Sequence, residues 1–213
     1  MGATDIFTLN STLGATIEDQ VVRTLNRMRA VWDPEGSYNL YRFVRQAQTF
    51  PDVLLRKKTN GQEILLGIEL KGWYLLSKER EPSLRFKVTP PVCAIHDLVV
   101  VVPWVLSDVL SGTPVVFDPY VESARYAAEY RNHWWQYVRV SEASTAITSS
   151  SHAAPYPKKS DKITDVPASD SGSNFGRLAR TEIMDDYMKQ ALATPVCGIP
   201  ANEWISFFKK FKQ

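Results

Sequence analysis

Apolar positions recur along residues 16 to 32 as Ile17, Val21, Leu25, Met28 and Trp32, a helical stripe that Thr16 and Asp19 open as an approximate capping box. Asp33-Pro34-Glu35-Gly36 ends it. Tyr38, Leu40, Tyr41, Phe43 and Val44 predict a strand over 38–46, with a helix as the alternative. Two β-rich runs follow, Phe50 to Lys58 and Gln62 to Tyr74, separated by Thr59-Asn60-Gly61. Asn-Gly between such runs signals a hairpin, because both turn positions need positive φ. The unbroken apolar run from Leu98 to Val105 predicts a central strand buried on both faces. A shorter strand is expected from Thr113 to Phe117. Asp118 as cap and Pro119 at the first position predict a long helix running to about Arg139. Residues 141–173 are rich in Ser and Thr and lack periodicity, a length that marks a loop as either mobile or functional. Leu178, Ile183, Met184, Tyr187 and Met188 give 175–193 a helical pattern, and Asn202 to Lys212 reads as a closing helix.

Length and composition narrow the class. At 213 residues the chain is expected to form one domain over 1–213, with a core of about 15–140, the loop 141–173 and C-terminal helices over 174–213. With 44% hydrophobic, 23% charged and 11% aromatic residues it is neither disordered nor collagen-like. The longest apolar run, Leu98 to Leu106, is about half the ~18 residues that a membrane span needs, so no membrane association is expected. No secretory signal is visible, and Ile6 stands where myristoylation at Gly2 wants Ser or Thr. Cys93 and Cys197 form no CxxC pair, and two reduced thiols suit a cytoplasmic protein. The net charge is only +2, far from the basic balance of a chain that coats nucleic acid. Any nucleic-acid binding must therefore be local, or the acidic residues must be occupied elsewhere.

The hairpin concentrates chemistry. With Asn60 and Gly61 as the loop, Thr59 faces Gln62, Arg56 faces Leu65 and Asp52 faces Glu69, and opposed Cβ atoms lie about 4.5–5.5 Å apart. Lys71, two residues beyond Glu69, shares that face, while Ile64, Leu66, Ile68 and Leu70 form the apolar opposite face. Two carboxylates so close repel unless protonated or bridged by a cation. Hard oxygen ligands suit Mg²⁺, which polarises a scissile phosphate and lowers the pKa of bound water. Lys71 can orient that water or offset charge on the phosphorane. The plain alternative is a surface hairpin whose Glu69 and Lys71 pair in water, and a single bulge would break the register.

Phe50-Pro51-Asp52, sixteen further residues, then Gly67-Ile68-Glu69-Leu70-Lys71 resembles the PD-(D/E)XK motif of the restriction-endonuclease-like nucleases, here PD–x16–ELK. Its surroundings also resemble that family's αβββαβ core over residues 15 to 140: a helix precedes, a hairpin joins the two halves, and an apolar strand follows. The resemblance implies an α/β fold with a restriction-endonuclease-like core, a mixed β-sheet flanked by helices. It implies Asp52 and Glu69 as Mg²⁺ ligands with the backbone carbonyl of Leu70, and Lys71 as assistant to the nucleophilic water. Many members add a Glu from the first helix, where Glu18 is the sole Glu, though a first-turn Glu is also favoured by the helix dipole. The implied activity is that of a type II restriction enzyme, cutting double-stranded DNA site-specifically as a homodimer. Alternatives are a structure-specific repair or junction-resolving nuclease, or a non-catalytic DNA-binding module.

Basic residues supply the expected DNA contacts. Lys78, Arg80, Arg85 and Lys87 follow the motif directly; Lys158 and Lys159 lie in the Ser/Thr-rich segment; Arg177 and Arg180 follow a glycine turn. For the last two the alternative is a salt bridge with Glu182 or Asp185. Tyr126, Tyr130 and Trp134 at helical spacing are expected to face the core more than DNA bases. No P-loop is present, so no nucleotide cofactor is expected, and no GxSxG, HExxH or zinc spacing appears.

Overall fold

Ile17, Val21, Val22 and Leu25 give residues 16–27 (α1) one apolar face, and that face packs on Tyr41, Phe43, Val53, Leu55, Ile68 and Leu70 of the sheet. In this computed structural model residues 16–46, 49–59, 63–139 and 145–210 are described. The helix turns at Met28 and resumes as a short α2, Arg29–Trp32, where the Trp32 indole donates to the Leu25 carbonyl (2.6 Å) and meets Phe43 edge-on.

The sheet begins with β1 (Tyr41–Arg45), β2 (Val53–Lys57) and β3 (Ile64–Tyr74), joined antiparallel, and β3 runs parallel to β4 (Leu98–Leu106). The far edge of β4 is shared by β5 (Pro114–Val116) and β6 (Tyr120–Ser123), both antiparallel to it. β1 is an edge strand, and Asn26 of α1 covers it: its side-chain amide donates to the Phe43 carbonyl (2.9 Å) and accepts from the Phe43 N–H (3.0 Å).

The opposite face of the sheet carries the larger core. Val99, Val101 and Trp73 meet Ala124, Ala127 and Ala128 of α3 (Ala124–His133), with Met184 and Ile205 beyond. The chain is thus mixed α/β, with a mixed six-stranded sheet flanked by helices. Around it lie two small pairs, β7 (Ile147–Thr148) with β8 (Val166–Pro167) and β9 (Pro195–Val196) with β10 (Ile199–Pro200). The helices α4 (Asp185–Ala193) and α5 (Ala201–Lys210) complete the structure.

Several expectations need correction. The long helix expected from Asp118 is shortened, because the β-branched and aromatic residues Tyr120 and Val121 pair with β4 as β6. Ser123, not Asp118, caps α3, its Oγ accepting from the Tyr126 N–H (3.3 Å). α3 ends at His133 in a π-helical turn, Trp134–Val138. Its buried stripe is Ala124, Ala127, Ala128, Arg131 and Trp135; Tyr126 is 48% exposed and Tyr130 and Trp134 are half-buried, so the expected aromatic stripe lies outside the core. Small alanines let the helix approach the sheet closely, which large rings would prevent. The helix expected over 175–193 reduces to a 3₁₀ turn, Leu178–Arg180, and α4. The link from β3 to β4 contains only a 3₁₀ turn, Pro90–Val92, where an αβββαβ order calls for a helix.

The Ser/Thr-rich segment is tied to the rest of the fold over its described part. Asp165 and Arg131 form an ion pair (2.7 Å) with both side chains essentially shut off from water. The Arg131 guanidinium also donates to the carbonyls of Phe86 (2.6 Å) and Val88 (3.0 Å). The Thr89 N–H donates to the Ile163 carbonyl and the Asp165 N–H to the Lys87 carbonyl. No helix among the described residues is long and apolar enough to cross a membrane.

Candidate active site

The hairpin brings Asp52 and Glu69 together as their spacing predicts. Val53 pairs with Ile68, Leu54 with Gly67 and Leu55 with Leu66, which extends the register to Asp52 opposite Glu69. Towards the turn the register slips by one, so Arg56 meets Ile64 instead of Leu65; the Asn60-Gly61 turn itself and Gln62 lie outside the described residues. The irregularity falls four residues from Asp52 and leaves the carboxylate end in register.

Backbone contacts fix Asp52. Its carbonyl accepts from the Gln46 N–H (2.6 Å) as β1 leaves the sheet, and its Oδ2 accepts from the Leu70 N–H (2.8 Å). Pro51 packs over Gly67 so closely that a Cβ there would lie 2.4 Å from Pro51 Cγ and 2.8 Å from Asp97 Oδ1. Gly67 is therefore needed for close approach. Its N–H donates to Asp97 Oδ1 (2.7 Å), and Asp97, fully buried, also accepts from the Ala94 N–H (2.8 Å) and the Tyr156 hydroxyl (3.1 Å). This buried carboxylate ties the Ser/Thr-rich segment to the strand that carries Glu69.

Burial dominates the electrostatics. It pushes the Asp52 carboxyl up to about 6, against the Leu70 N–H hydrogen bond, with the Glu18 charge raising it further and Arg45 and Lys71 opposing. Burial pushes Glu69 up to about 8, and the Asp52 and Glu18 carboxylates add to the rise. Hydrogen bonding from the Asp52 backbone and the Lys71 ammonium lower it in part. Three carboxyl groups and one lysine thus act on one another: Glu18 belongs to this set and is not an isolated surface residue. It is held there by Arg45, the last residue of β1, whose Nη2 and Nε lie 2.7 and 2.9 Å from Glu18 Oε2.

Among the described residues no three His, Cys, Asp or Glu side chains come together as a complete metal cage. The donor set Asp52 and Glu69, with the Leu70 carbonyl, instead fits an ion that takes one or two carboxylates and completes its shell with waters and substrate oxygens, as Mg²⁺ does. Each carboxyl is held at a raised pKa by burial and by its neighbours' negative charge, and a divalent cation relieves both.

The other expected contacts scatter. Arg80 donates to Ser206 on α5 (2.8 Å), and Lys87 pairs with Asp170 (3.2 Å). Arg177 and Arg180 both pair with Glu81 (3.3 and 2.6 Å), not with Glu182 or Asp185. Lys78, Arg85, Lys158 and Lys159 are exposed. The charges that act on Asp52 and Glu69 are instead Glu18, Arg45 and Lys71. Arg45 is the site residue that the sequence reading missed. The sequence reading takes 38–46 as a strand without a partner; its pairing with β2 sets Arg45 opposite Val53, next to Asp52.

Comparison with protein-family models, with characterised proteins and with solved structures finds no match for this chain.

Proposed function

We propose that the chain is a Mg²⁺-dependent endodeoxyribonuclease on a restriction-endonuclease-like core, hydrolysing the phosphodiester bonds of double-stranded DNA site-specifically as a type II restriction enzyme does. The observation that carries the reading is the meeting of Asp52, Glu69 and Lys71 of a PD–x16–ELK sequence at one sheet position, with Asp52 anchored to the backbone of Leu70. Asp52, Glu69 and the Leu70 carbonyl would hold the ion. Bound Mg²⁺ supplies a Lewis acid for the scissile phosphate and acidifies a water. Lys71, half-buried beside both carboxyls, offers its ammonium to the attacking water or to charge building on the phosphate oxygens. Glu18 serves as an auxiliary acceptor for that water's proton or as an outer ligand, with Arg45 setting its position. The lack of a helix between β3 and β4 is a departure from the αβββαβ order. It leaves the carboxylate hairpin intact, and the chemistry depends on the hairpin.

A homodimer follows from the same reading, since one site cuts one strand at a time. The test is plasmid cleavage with Mg²⁺ by Asp52→Ala and Glu69→Ala, with DNA binding followed in parallel. Both variants should bind and fail to nick. Nicking by either at near the parent rate refutes the assignment.

A further inference from the structure

Away from the carboxylate site, a cavity of about 310 Å³ is walled by Trp134, Trp135 and Arg139 on one side and by Asn174, Arg177 and Arg180 on the other, with Arg131 also lining it. No acidic side chain lines it. The carboxylates beside the wall are already engaged: Asp165 by Arg131 and Asn132, Glu81 by Arg177 and Arg180, Glu182 by the Trp134 indole and Asp170 by Lys87. Three N–H donors on the lining residues are nonetheless buried without a partner among the described residues: Trp135 Nε1, Arg139 Nη2 and Arg177 Nε. Trp135 is 2% exposed, with the Arg139 guanidinium over its ring.

Arg139 is held ready. Its guanidinium lies 3.3 Å from the centre of the Trp135 ring, its Nε donates to the Trp135 carbonyl (2.9 Å) and its Nη1 to Ser171 Oγ (3.4 Å). Arg180 is clamped by Glu81 and by Asn174 Oδ1. A buried donor without an acceptor is costly, and natural interiors rarely keep several in one place. A neutral ligand would leave Arg139 without a counter-charge, whereas Arg131, Arg177 and Arg180 have carboxylate partners. Arginine forks fit carboxylate and phosphate alike, but a phosphate monoester brings more negative charge, about −1.5 to −2, and three acceptor oxygens.

We propose that this cavity binds a phosphate monoester, carried either at the end of a nucleic-acid strand or by a free nucleotide. The flat indoles of Trp134 and Trp135 give an attached base or sugar an apolar surface to lie on. Phosphate binding itself does not depend on the nuclease reading.

The experiment is calorimetric titration and thermal unfolding in metal-free buffer at constant ionic strength, with inorganic phosphate, a 5′-phosphorylated mononucleotide and a short 5′-phosphorylated oligonucleotide as probes, and chloride as control. Phosphate should raise the unfolding midpoint where chloride does not. Trp135→Phe removes the indole N–H together with one ring of the indole, and Arg139→Gln loses a guanidinium; each should weaken phosphate binding about tenfold or more. Asp52→Ala should bind phosphate as the parent does, which separates this site from the cleavage reading. Tightest binding of the oligonucleotide assigns the phosphate to a strand, and tightest binding of the mononucleotide assigns it to free nucleotide. Equal midpoints in phosphate and chloride, or parent-like affinity in both variants, overturn the proposal.

Discussion

Replacing Glu69 by glutamine should stabilise the fold in alkaline, metal-free solution, and the size of the effect follows from the site. A glutamate ordinarily titrates near 4.5, and burial beside Asp52 and Glu18 pushes this one up to about 8. Below 4.5 the folded and unfolded chains both hold the proton and the site costs nothing. Between 4.5 and about 8 the folded chain keeps a proton that the unfolded chain has released, so stability falls as pH rises through that window and the loss is complete above it. At about 1.36 kcal/mol per pH unit, the gap sets an upper bound of about 5 kcal/mol. Part of the rise is repulsion from Asp52 and Glu18 that hydration of the half-buried site relieves, so about 2–3 kcal/mol is expected near pH 9.

The assay is urea unfolding from pH 5 to 9 in the presence of a chelator, with the transition midpoint followed at constant slope. The parent should lose stability across the range, steeply up to pH 8. Glu69→Gln, whose amide mimics the protonated acid, should coincide with the parent near pH 5 and diverge from it as pH rises. Asp52, pushed up to about 6 and also above its ordinary value, leaves a smaller slope between 3.8 and 6 in both proteins. Adding Mg²⁺ at pH 8 should restore the parent and leave the variant unmoved. Parallel curves for the two proteins between pH 5 and 8 would refute the placing of Glu69 in a buried, negatively charged site.

Four further outcomes can be checked. Mg²⁺ binding at pH 7 should release about one proton, chiefly from Glu69, seen as a dependence of the binding heat on buffer ionisation enthalpy, and affinity should climb between pH 6 and 8. Lys71→Met should lower the turnover number by about 10²-fold or more with little change in DNA affinity; a pure affinity loss would contradict its role at the water. Arg131→Met leaves Asp165 buried without its partner and should cost about 3–5 kcal/mol in urea unfolding, and a cost below about 1 kcal/mol would mean that the pair does not hold the 145–173 segment. Gly67→Ala forces a Cβ against Pro51 and Asp97 and should destabilise by about 1–3 kcal/mol while reducing cleavage, because the residue before Asp52 must move.

The sheet was legible in the sequence where its pairing is local. The runs before and after Asn60-Gly61 became β2 and β3, and the unbroken Leu98–Leu106 run became β4, the strand with neighbours on both edges. Legibility failed where a segment's partner lies far along the chain. Tyr120 and Val121 look like the start of a helix until β4 offers an edge, and nothing near them in sequence reveals that edge. The alanine face of α3 was missed because tyrosines at the same spacing outweigh alanines in any count of apolarity, whereas close packing on a sheet selects for small size. The Ser/Thr-rich segment looked loose because its anchors, Tyr156 to Asp97 and Asp165 to Arg131, are single polar contacts without a pattern.

The candidate site divides in the same way, and the division bears on the net charge of +2. Asp52, Glu69 and Lys71 could be grouped from spacing because a hairpin converts separation along the chain into distance across two strands. Arg45 and Glu18 could not, since their meeting depends on how α1 lies against β1. The runs of basic residues suggested local patches for DNA, yet Lys87, Arg131, Arg177 and Arg180 are each paired with a carboxylate in the fold. Counting charges along the sequence therefore overstates the cations that are free to meet a phosphate. It also understates those set in place to do so, because a guanidinium tethered by one acceptor keeps other N–H groups to donate. Arg177 spends Nη1 on Glu81 and retains a buried Nε, and Arg139 retains Nη2. An anion reaching those donors meets arginines whose side-chain entropy is already lost, so a few such residues can bind what a net charge of +2 alone would hold only weakly.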